Sequence, residues 1–276
     1  KCLRTTVLEY LVLMLAPLES GISLPSNLYT KMTPVTISSL ATIIFAAIIH
    51  ASFQLSVSVL TLLSGHSIGK KTAQRKIFRM SNSFVLGVAM ITLLLISSIS
   101  YFLSLFIHHV TSAEQLVAAV SSGMMFGLGI AIWAFYFRRQ PGTSLWLPRN
   151  FAEYLNKRTK KTKNSIESFA LGIISVIAEI VFIIAPIIAA SLVIITLPNP
   201  FLQIISIAIY VIVSTLPLFV VIVLIGSGRS ISNLQRWRED HKRFLQFASG
   251  GSLLILAAFL FVDRVIGVIS YGGNLW

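Results

Sequence analysis

Long unbroken runs of apolar residues, separated by short polar segments, dominate the chain. Six of these runs are long enough to cross about 30 Å of hydrocarbon as a helix, which takes about 20 residues. They lie at about 36–63, 84–107, 113–137, 168–196, 201–226 and 246–271. A weaker seventh run at 6–24 either spans the membrane or enters it and bends back, because Pro17 interrupts it. The runs lack the alternation of a membrane β-barrel, so the pattern predicts an all-α polytopic membrane protein with six or seven transmembrane helices.

Composition supports this prediction. The sequence is 55% hydrophobic and 11% charged, whereas a soluble domain carries about 25% charged residues. Cys2 is the single cysteine, which excludes an intrachain disulfide and dithiol chemistry. Lys1 and Arg4 precede the first apolar run as in a signal peptide, but no small-residue cleavage site follows, so we expect the segment to be retained.

The basic residues predict the orientation. All of the 22 lysines and arginines except Lys31 and Arg264 fall on one side of the predicted spans. By the positive-inside rule that side is cytoplasmic, which predicts an integral plasma (inner) membrane protein. The same distribution explains the +13 net charge, so we predict no binding of nucleic acid. The N-terminus is inside with seven spans and outside with six.

The longest hydrophilic stretch divides the chain into three parts. We predict an N-terminal transmembrane half at 1–137, a basic cytoplasmic linker at 138–164 and a C-terminal transmembrane half at 165–276. The linker either only sets the topology or also contacts anionic lipid head groups. The residues expected at the lipid heads are Lys157, Arg158, Lys160, Lys161 and Lys163.

Two similar segments suggest an internal three-helix repeat. SGHSIGKK at 64–71 and SGRSISNL at 227–234 each end an apolar run and begin a basic loop. Matching these loops gives a parallel repeat, with the run at 113–137 as a linker. Alternatively, the runs at 36–137 and 168–271 form an inverted three-plus-three. Repeats of both kinds occur in transporters, whose substrate sites lie at the repeat interface.

Three stretches of the C-terminal half resemble a known family. They are SFALGIISVIAEIVFIIAPIIAA, AIYVIVSTLPLFVVIVLIGSGRSISNLQRWRE and FASGGSLLILAAFLF. They resemble the lysine-exporter superfamily and its thiol-relay branch, the membrane domains of cytochrome c biogenesis and disulfide reduction. The resemblance implies a helical exporter and favours the inverted repeat. Thiol-relay members carry cysteines beside prolines in two helices, whereas Ala16-Pro17 and Ala185-Pro186 have none here, which excludes electron relay through this chain alone.

Glu179 is the leading candidate for a functional side chain, because it lies near the middle of an apolar run. Acidic groups at that depth are costly and are typical of ion or substrate pathways. Pro186 follows about two turns later and would leave a backbone carbonyl unbonded. Glu179 could therefore exchange a proton or bind a cation. The alternative is an acid that only ties two helices together.

His50 and Gln54 lie four residues apart and share a helix face. If that face meets Glu179, the three side chains form a polar midplane site beside the kinks at Pro186 and Pro217. The alternative is an interhelical hydrogen-bond pair without a ligand. We expect no metal and no other cofactor.

Small residues and terminal charges predict helix packing. Two groups of glycines are expected to let helices approach closely. They are Gly123-x-x-x-Gly127, with Gly129 beyond it, and Gly250-Gly251. Asp263-Arg264 is expected to anchor its helix at the outer interface.

Motifs of intramembrane enzymes are missing. No lysine lies within a predicted span, which excludes a retinal Schiff base, and the sequence has neither an HExxH motif, paired intramembrane aspartates nor a P-loop. We therefore predict a transporter or exporter of a small solute or cation rather than an enzyme. The alternative is a non-catalytic membrane subunit or scaffold, with a membrane-protein partner or as a homo-oligomer.

Overall fold

The computed structural model describes residues 34–53, 59–60, 71–109, 113–136, 154, 157–159, 162, 164–226 and 240–266. The chain divides into two units, residues 1–38 and 39–276, and the described part of the first unit is the beginning of one helix. The packing below concerns the second unit. The predictions for residues 6–24, Gln54, both SG-x-SI segments, Lys160, Lys161 and Lys163 lie outside the described residues.

The described residues form six α-helices and no strand. The helices are α1 Pro34–Ser52, α2 Lys71–His109, α3 Ala113–Tyr136, α4 Ser165–Ile195, α5 Pro200–Gly226 and α6 Lys242–Phe261, which continues as a π-helical turn, Val262–Ile266. Five of them, α2 to α6, are long and apolar enough to cross a membrane. This confirms the prediction of an all-α polytopic membrane protein, because a helix satisfies all its backbone hydrogen bonds within one apolar segment.

Helix α2 begins much earlier than predicted. The apolar run starts near residue 84, but the helix starts at Lys71, and the exposed side chains of Arg75, Lys76 and Arg79 lie on it rather than in a loop. Its 39 residues span about 58 Å, well beyond the hydrocarbon thickness. The loop prediction was wrong because lysine and arginine are good helix formers, so a helix need not end where its apolar stretch ends.

The predicted span at 36–63 is not one continuous helix. Helix α1 ends at Ser52, and Phe53 lies in a turn in which its N–H donates to the carbonyl oxygen of His50 at 3.1 Å. The Ser52 hydroxyl donates to the carbonyl oxygen of Ile49 at 2.7 Å, the kind of local bond that competes with the helical ladder. His50 therefore lies in the last turn of a helix and not in the middle of one.

Helices α4 and α5 are joined by the short segment 196–199, so they run in opposite directions. Pro198 and Pro200 prevent one helix from continuing into the next, and Pro200 occupies the first position of α5, where its missing N–H costs nothing. The side-chain oxygen of Asn199 accepts the N–H of Phe201 at 2.9 Å, which caps the start of α5.

Helices α2 and α4 cross in direct backbone contact. A Cβ atom at Gly87 would overlap the carbonyl oxygen of Phe169, and one at Gly172 would overlap that of Phe84. Only glycine fits at both positions, as at the small-residue crossings of other membrane helices. The sequence analysis did not predict this crossing.

Two serines reinforce the same crossing. Ser168 donates to the carbonyl oxygen of Met80 at 2.8 Å, and Ser83 donates to that of Ser165 at 2.6 Å. Ser83 precedes Gly87 by four residues, and Ser168 precedes Gly172 by four. Each helix thus presents a serine and a glycine on one face, and the two faces meet.

Helices α3 and α6 form a second close pair. Gly129 and Gly250 face each other, with the Gly250 carbonyl oxygen 3.1 Å from where a Cβ of Gly129 would lie. The Trp133 indole N–H donates to the carbonyl oxygen of Phe247 at 3.2 Å, and the two rings stack at 5.2 Å between centroids. The predicted packing of Gly129 and Gly250 is confirmed.

The predicted packing of Gly123-x-x-x-Gly127 was wrong. No atom of the described chain lies within 4 Å of a Cβ built on either glycine, and both residues are exposed. Gly129 lies only two residues beyond Gly127, which turns it to a different face of α3, and that face meets α6.

Candidate functional site

Glu179 lies on α4 with 1% of its surface exposed. It is the only Asp, Glu, Lys or Arg between Ser168 and Ile195. Pro186 lies inside the same helix, and its missing N–H leaves the carbonyl oxygen of Phe182 without its helical partner. The structure thus places a buried acid one turn before Phe182, whose carbonyl oxygen is the one that Pro186 cannot bond.

His50 is hydrogen-bonded to a residue that the sequence analysis missed. Its Nδ1 atom lies 3.0 Å from the hydroxyl oxygen of Tyr210 on α5. Both side chains are buried, and their ring centroids are 5.7 Å apart. Within the described chain, Nε2 of His50 has no hydrogen-bond partner. Whichever nitrogen carries the proton, Nε2 is a buried polar atom without a hydrogen bond among the described residues.

A pair of stacked phenylalanines places this end of α1 beside α4. The Phe53 and Phe182 rings lie 5.9 Å apart at an interplanar angle of 14°. Phe53 follows His50 by one turn, and Phe182 follows Glu179 by one turn. The ring stack and the His50–Tyr210 bond therefore place the end of α1 against α4 and α5, and Glu179 lies one turn before Phe182 on α4. We call this place the junction of α1, α4 and α5.

Helix geometry gives the position of these residues along α4 and α5. Counted from the α4–α5 turn at about 1.5 Å per residue, Tyr210 lies about 15 Å along α5, while Phe182 and Glu179 lie about 20 Å and about 24 Å along α4. The end of α1 contacts both helices, through His50 and Tyr210 on α5 and through Phe53 and Phe182 on α4.

Two buried hydroxyls on α5 lie at about the depth of Glu179. Ser214 and Thr215 donate back to the carbonyl oxygen of Val211, at 3.0 and 2.7 Å. Pro217 follows inside α5 and leaves the carbonyl oxygen of Val213 without its helical partner. Hydroxyl and carbonyl oxygens are groups that can coordinate a cation or accept hydrogen bonds.

The described contacts do not join His50 to Glu179. His50 makes no hydrogen bond to Glu179, because its Nδ1 contacts Tyr210 and its Nε2 has no partner in the described chain. A tyrosine at mid-span, away from the aromatic belts, was a signal that sequence reasoning passed over. Among the described residues, no three His, Cys, Asp or Glu side chains form a group that could hold a metal.

Arg264 makes contacts that the sequence analysis did not predict. Arg264 pairs with Glu114 at the start of α3, with 2.8 Å between Nη1 and Oε1, and with Asp263 at 3.0 Å. Its Nη2 also donates to the hydroxyl of Thr196, just after α4, at 3.2 Å. We call the end of the bundle where Glu114, Thr196 and Arg264 meet the distal end, and the opposite end, where α2 begins, the basic end.

Two of the residues predicted to contact lipid head groups, Lys157 and Arg158, are among those that the structure describes. Lys157 and Arg158 are exposed, and the Arg158 guanidinium lies 5.8 Å from the centre of the Tyr154 ring. Its Nε donates to the Tyr154 hydroxyl at 3.3 Å, and this bond raises the pKa of Arg158 above its ordinary value. A fixed, exposed positive charge of this kind suits an anionic head group.

No protein-family model matches the chain, and neither a curated protein nor a solved structure is significantly similar to it. Fold and site therefore define the class: the chain is a multi-pass α-helical membrane protein with a buried polar junction. The resemblance to the lysine-exporter superfamily stays a prediction.

Proposed function

We propose that the protein transports or exports a small solute or cation through the junction of α1, α4 and α5. One observation supports this most. Helix α1 ends inside the bundle, at a buried histidine that is hydrogen-bonded to Tyr210 and lies on the same junction as Glu179. Buried titratable side chains at an interrupted helix are typical of transport sites.

The interruption gives the junction a specific chemistry. The last carbonyls of a helix carry partial negative charge, so the end of α1 favours a positively charged ligand. The prolines in α4 and α5 each weaken the helix beside the site, which would permit the bending that alternating access requires.

Of the two repeats that the sequence suggests, we favour the inverted one, in which α1, α2 and α3 correspond to α4, α5 and α6. Under this relation the α2–α4 contact would correspond to a contact between α5 and α1, where the described contact is the His50–Tyr210 bond. The α2–α5 contact and the α3–α6 contact each join two helices that this relation makes equivalent, so each contact is its own counterpart. This repeat and the resemblance to the lysine-exporter superfamily favour export, with the basic end in the cytoplasm and Lys157 and Arg158 at anionic lipid heads.

Transport is tested with the purified protein in proteoliposomes. We expect flux of at least one member of a panel of monovalent cations, divalent cations and basic amino acids, at a rate above that of empty liposomes. Flux of none of them would contradict the proposal. It would favour a membrane subunit or scaffold, for which the exposed Gly123 and Gly127 offer a face that a partner helix could approach.

A further inference from the structure

Arg264 connects three helices at the distal end. Its Nη1 pairs with Glu114 of α3 at 2.8 Å, its Nη2 donates to Thr196 at the end of α4 at 3.2 Å, and it belongs to the turn that continues α6. The planar guanidinium points different N–H groups at different partners, which a lysine could not reproduce. The Arg264 side chain is 18% exposed and that of Glu114 35%, so solvent only partly screens the pair.

The local backbone positions this side chain. Residues 262–266 form a π-helical turn at the end of α6. π-Helical turns are rare and frequently occur at functional sites, because the extra residue per turn redirects a side chain. Asp263 lies on the same turn, with Oδ2 3.0 Å from Nε of Arg264, and helps to hold the guanidinium in place.

The contacts of Arg264 join the two close helix pairs. Gly87 and Gly172 fix α2 against α4, while Gly129 and Gly250 fix α3 against α6. The Arg264–Thr196 bond runs from the second pair to the first. Separating the pairs at the distal end therefore requires this bond to break, while both glycine contacts can persist.

Helix α4 is built so that its distal segment can move. Pro186 lies between Glu179 and Thr196 and removes a hydrogen bond from the helix at that point. The residues from Ile187 to Ile194 are almost all buried, so any opening at this end exposes them. Thr196, which Arg264 holds, directly follows the last residue of this segment.

We infer that Arg264 is a clamp that closes the distal end of the bundle over the junction of α1, α4 and α5. The inference rests on the proposed transport function and identifies the Arg264 contacts as the gate of that transport. When the Arg264 contacts to Glu114 and Thr196 break, the α4 segment beyond Pro186 bends away from α3 and α6. The junction then becomes accessible from the distal end.

The clamp is tested by thiol accessibility. Cys2 is replaced by serine, and Ser191→Cys introduces one nearly isosteric thiol into the buried distal segment of α4, where Ser191 is 0% exposed. The protein is reconstituted in nanodiscs, where both faces meet the reagent, and reaction with a charged methanethiosulfonate is timed. His108→Cys, at an exposed position near the end of α2, calibrates a fully accessible thiol.

We expect slow labelling of the Ser191→Cys parent that becomes about tenfold faster when Arg264→Gln or Glu114→Gln is added. Arg264→Gln removes the guanidinium that reaches Thr196, and Glu114→Gln removes the carboxylate that orients this guanidinium. Combining Glu114→Arg with Arg264→Glu restores an opposite-charge pair and should return labelling towards the parent rate. Arg243→Gln, which removes an exposed charge at the basic end, should leave it unchanged.

Equal labelling in all of these backgrounds would overturn the clamp, as would a parent rate equal to that of His108→Cys. If both clamp variants lose a monodisperse elution profile while Arg243→Gln keeps it, Arg264 is a structural support and the clamp is overturned as well. Labelling does not depend on flux. Faster labelling in a protein that transports nothing would therefore contradict the proposed function while leaving the clamp in place.

Discussion

At the scale of single residues, the hydrogen bond of 3.0 Å between His50 and Tyr210 is the feature that most changes the expectation from sequence. Burying a polar ring is costly unless its nitrogens find partners. Tyr210 is the hydrogen-bond partner of Nδ1. Nε2, on the other side of the ring, therefore faces away from Tyr210. The phenol orients the imidazole, and the imidazole is the group that a ligand would meet.

Tyr210→Phe removes only the phenol hydroxyl and keeps the aromatic ring. The buried Nδ1 of His50 loses its hydrogen bond, so we expect the free energy of unfolding to fall by about 1–3 kcal/mol. Reversible unfolding in mixed detergent micelles measures it. Phe102→Leu, at an exposed position on α2, should change it by less than about 0.5 kcal/mol. Equal stabilities of the two variants would show that the His50–Tyr210 bond does not hold α1 to α5.

At the scale of elements, glycines decide which helices meet. Gly87 and Gly172 lie at a backbone contact between α2 and α4, whereas Gly123 and Gly127 contact no described atom. All four lie inside apolar helices, so composition alone does not distinguish them. What separates them is the face of the helix on which each one lies.

Gly87→Ala and Gly172→Ala should each destabilise the protein by about 1–3 kcal/mol, because the new methyl group forces two backbones apart. Gly123→Ala and Gly127→Ala are the matched controls. They should be neutral or stabilising by up to about 1 kcal/mol, since alanine is the better helix former. Unfolding of the four variants under one condition measures the difference. A similar cost at Gly123 and Gly87 would contradict the described crossing.

At the scale of the whole molecule, the distribution of basic residues predicts orientation. The basic end carries Arg75, Lys76 and Arg79, and we propose that it faces the cytoplasm. A thiol introduced by Thr162→Cys, in a chain with Cys2 replaced by serine, should react with an impermeant reagent in inside-out vesicles and not in intact cells. Labelling in intact cells would show that every helix crosses the membrane in the direction opposite to the one proposed.

Hydropathy predicted four of the six described helices closely, α3 to α6, since apolar length is a one-dimensional property of the sequence. It failed at both ends of the segment between α1 and α2. The Ser52 hydroxyl bonds back to the carbonyl of Ile49 and α1 stops there, while α2 begins among lysines and arginines. Glu179 and His50 were found because polar groups are rare at that depth, but Tyr210 and the Arg264 contacts depend on distant helices meeting, which no local pattern reports.

The most direct test of the transport proposal compares two acids of one helix. Glu179 is buried in α4, whereas Glu167 is exposed in its first turn. In the proteoliposome assay, with the substrate that gives flux, Glu179→Gln should lower the rate at least about tenfold, because it removes the charge that the site would exchange or bind. Glu167→Gln should transport at the wild-type rate. Wild-type flux in Glu179→Gln would contradict the central claim.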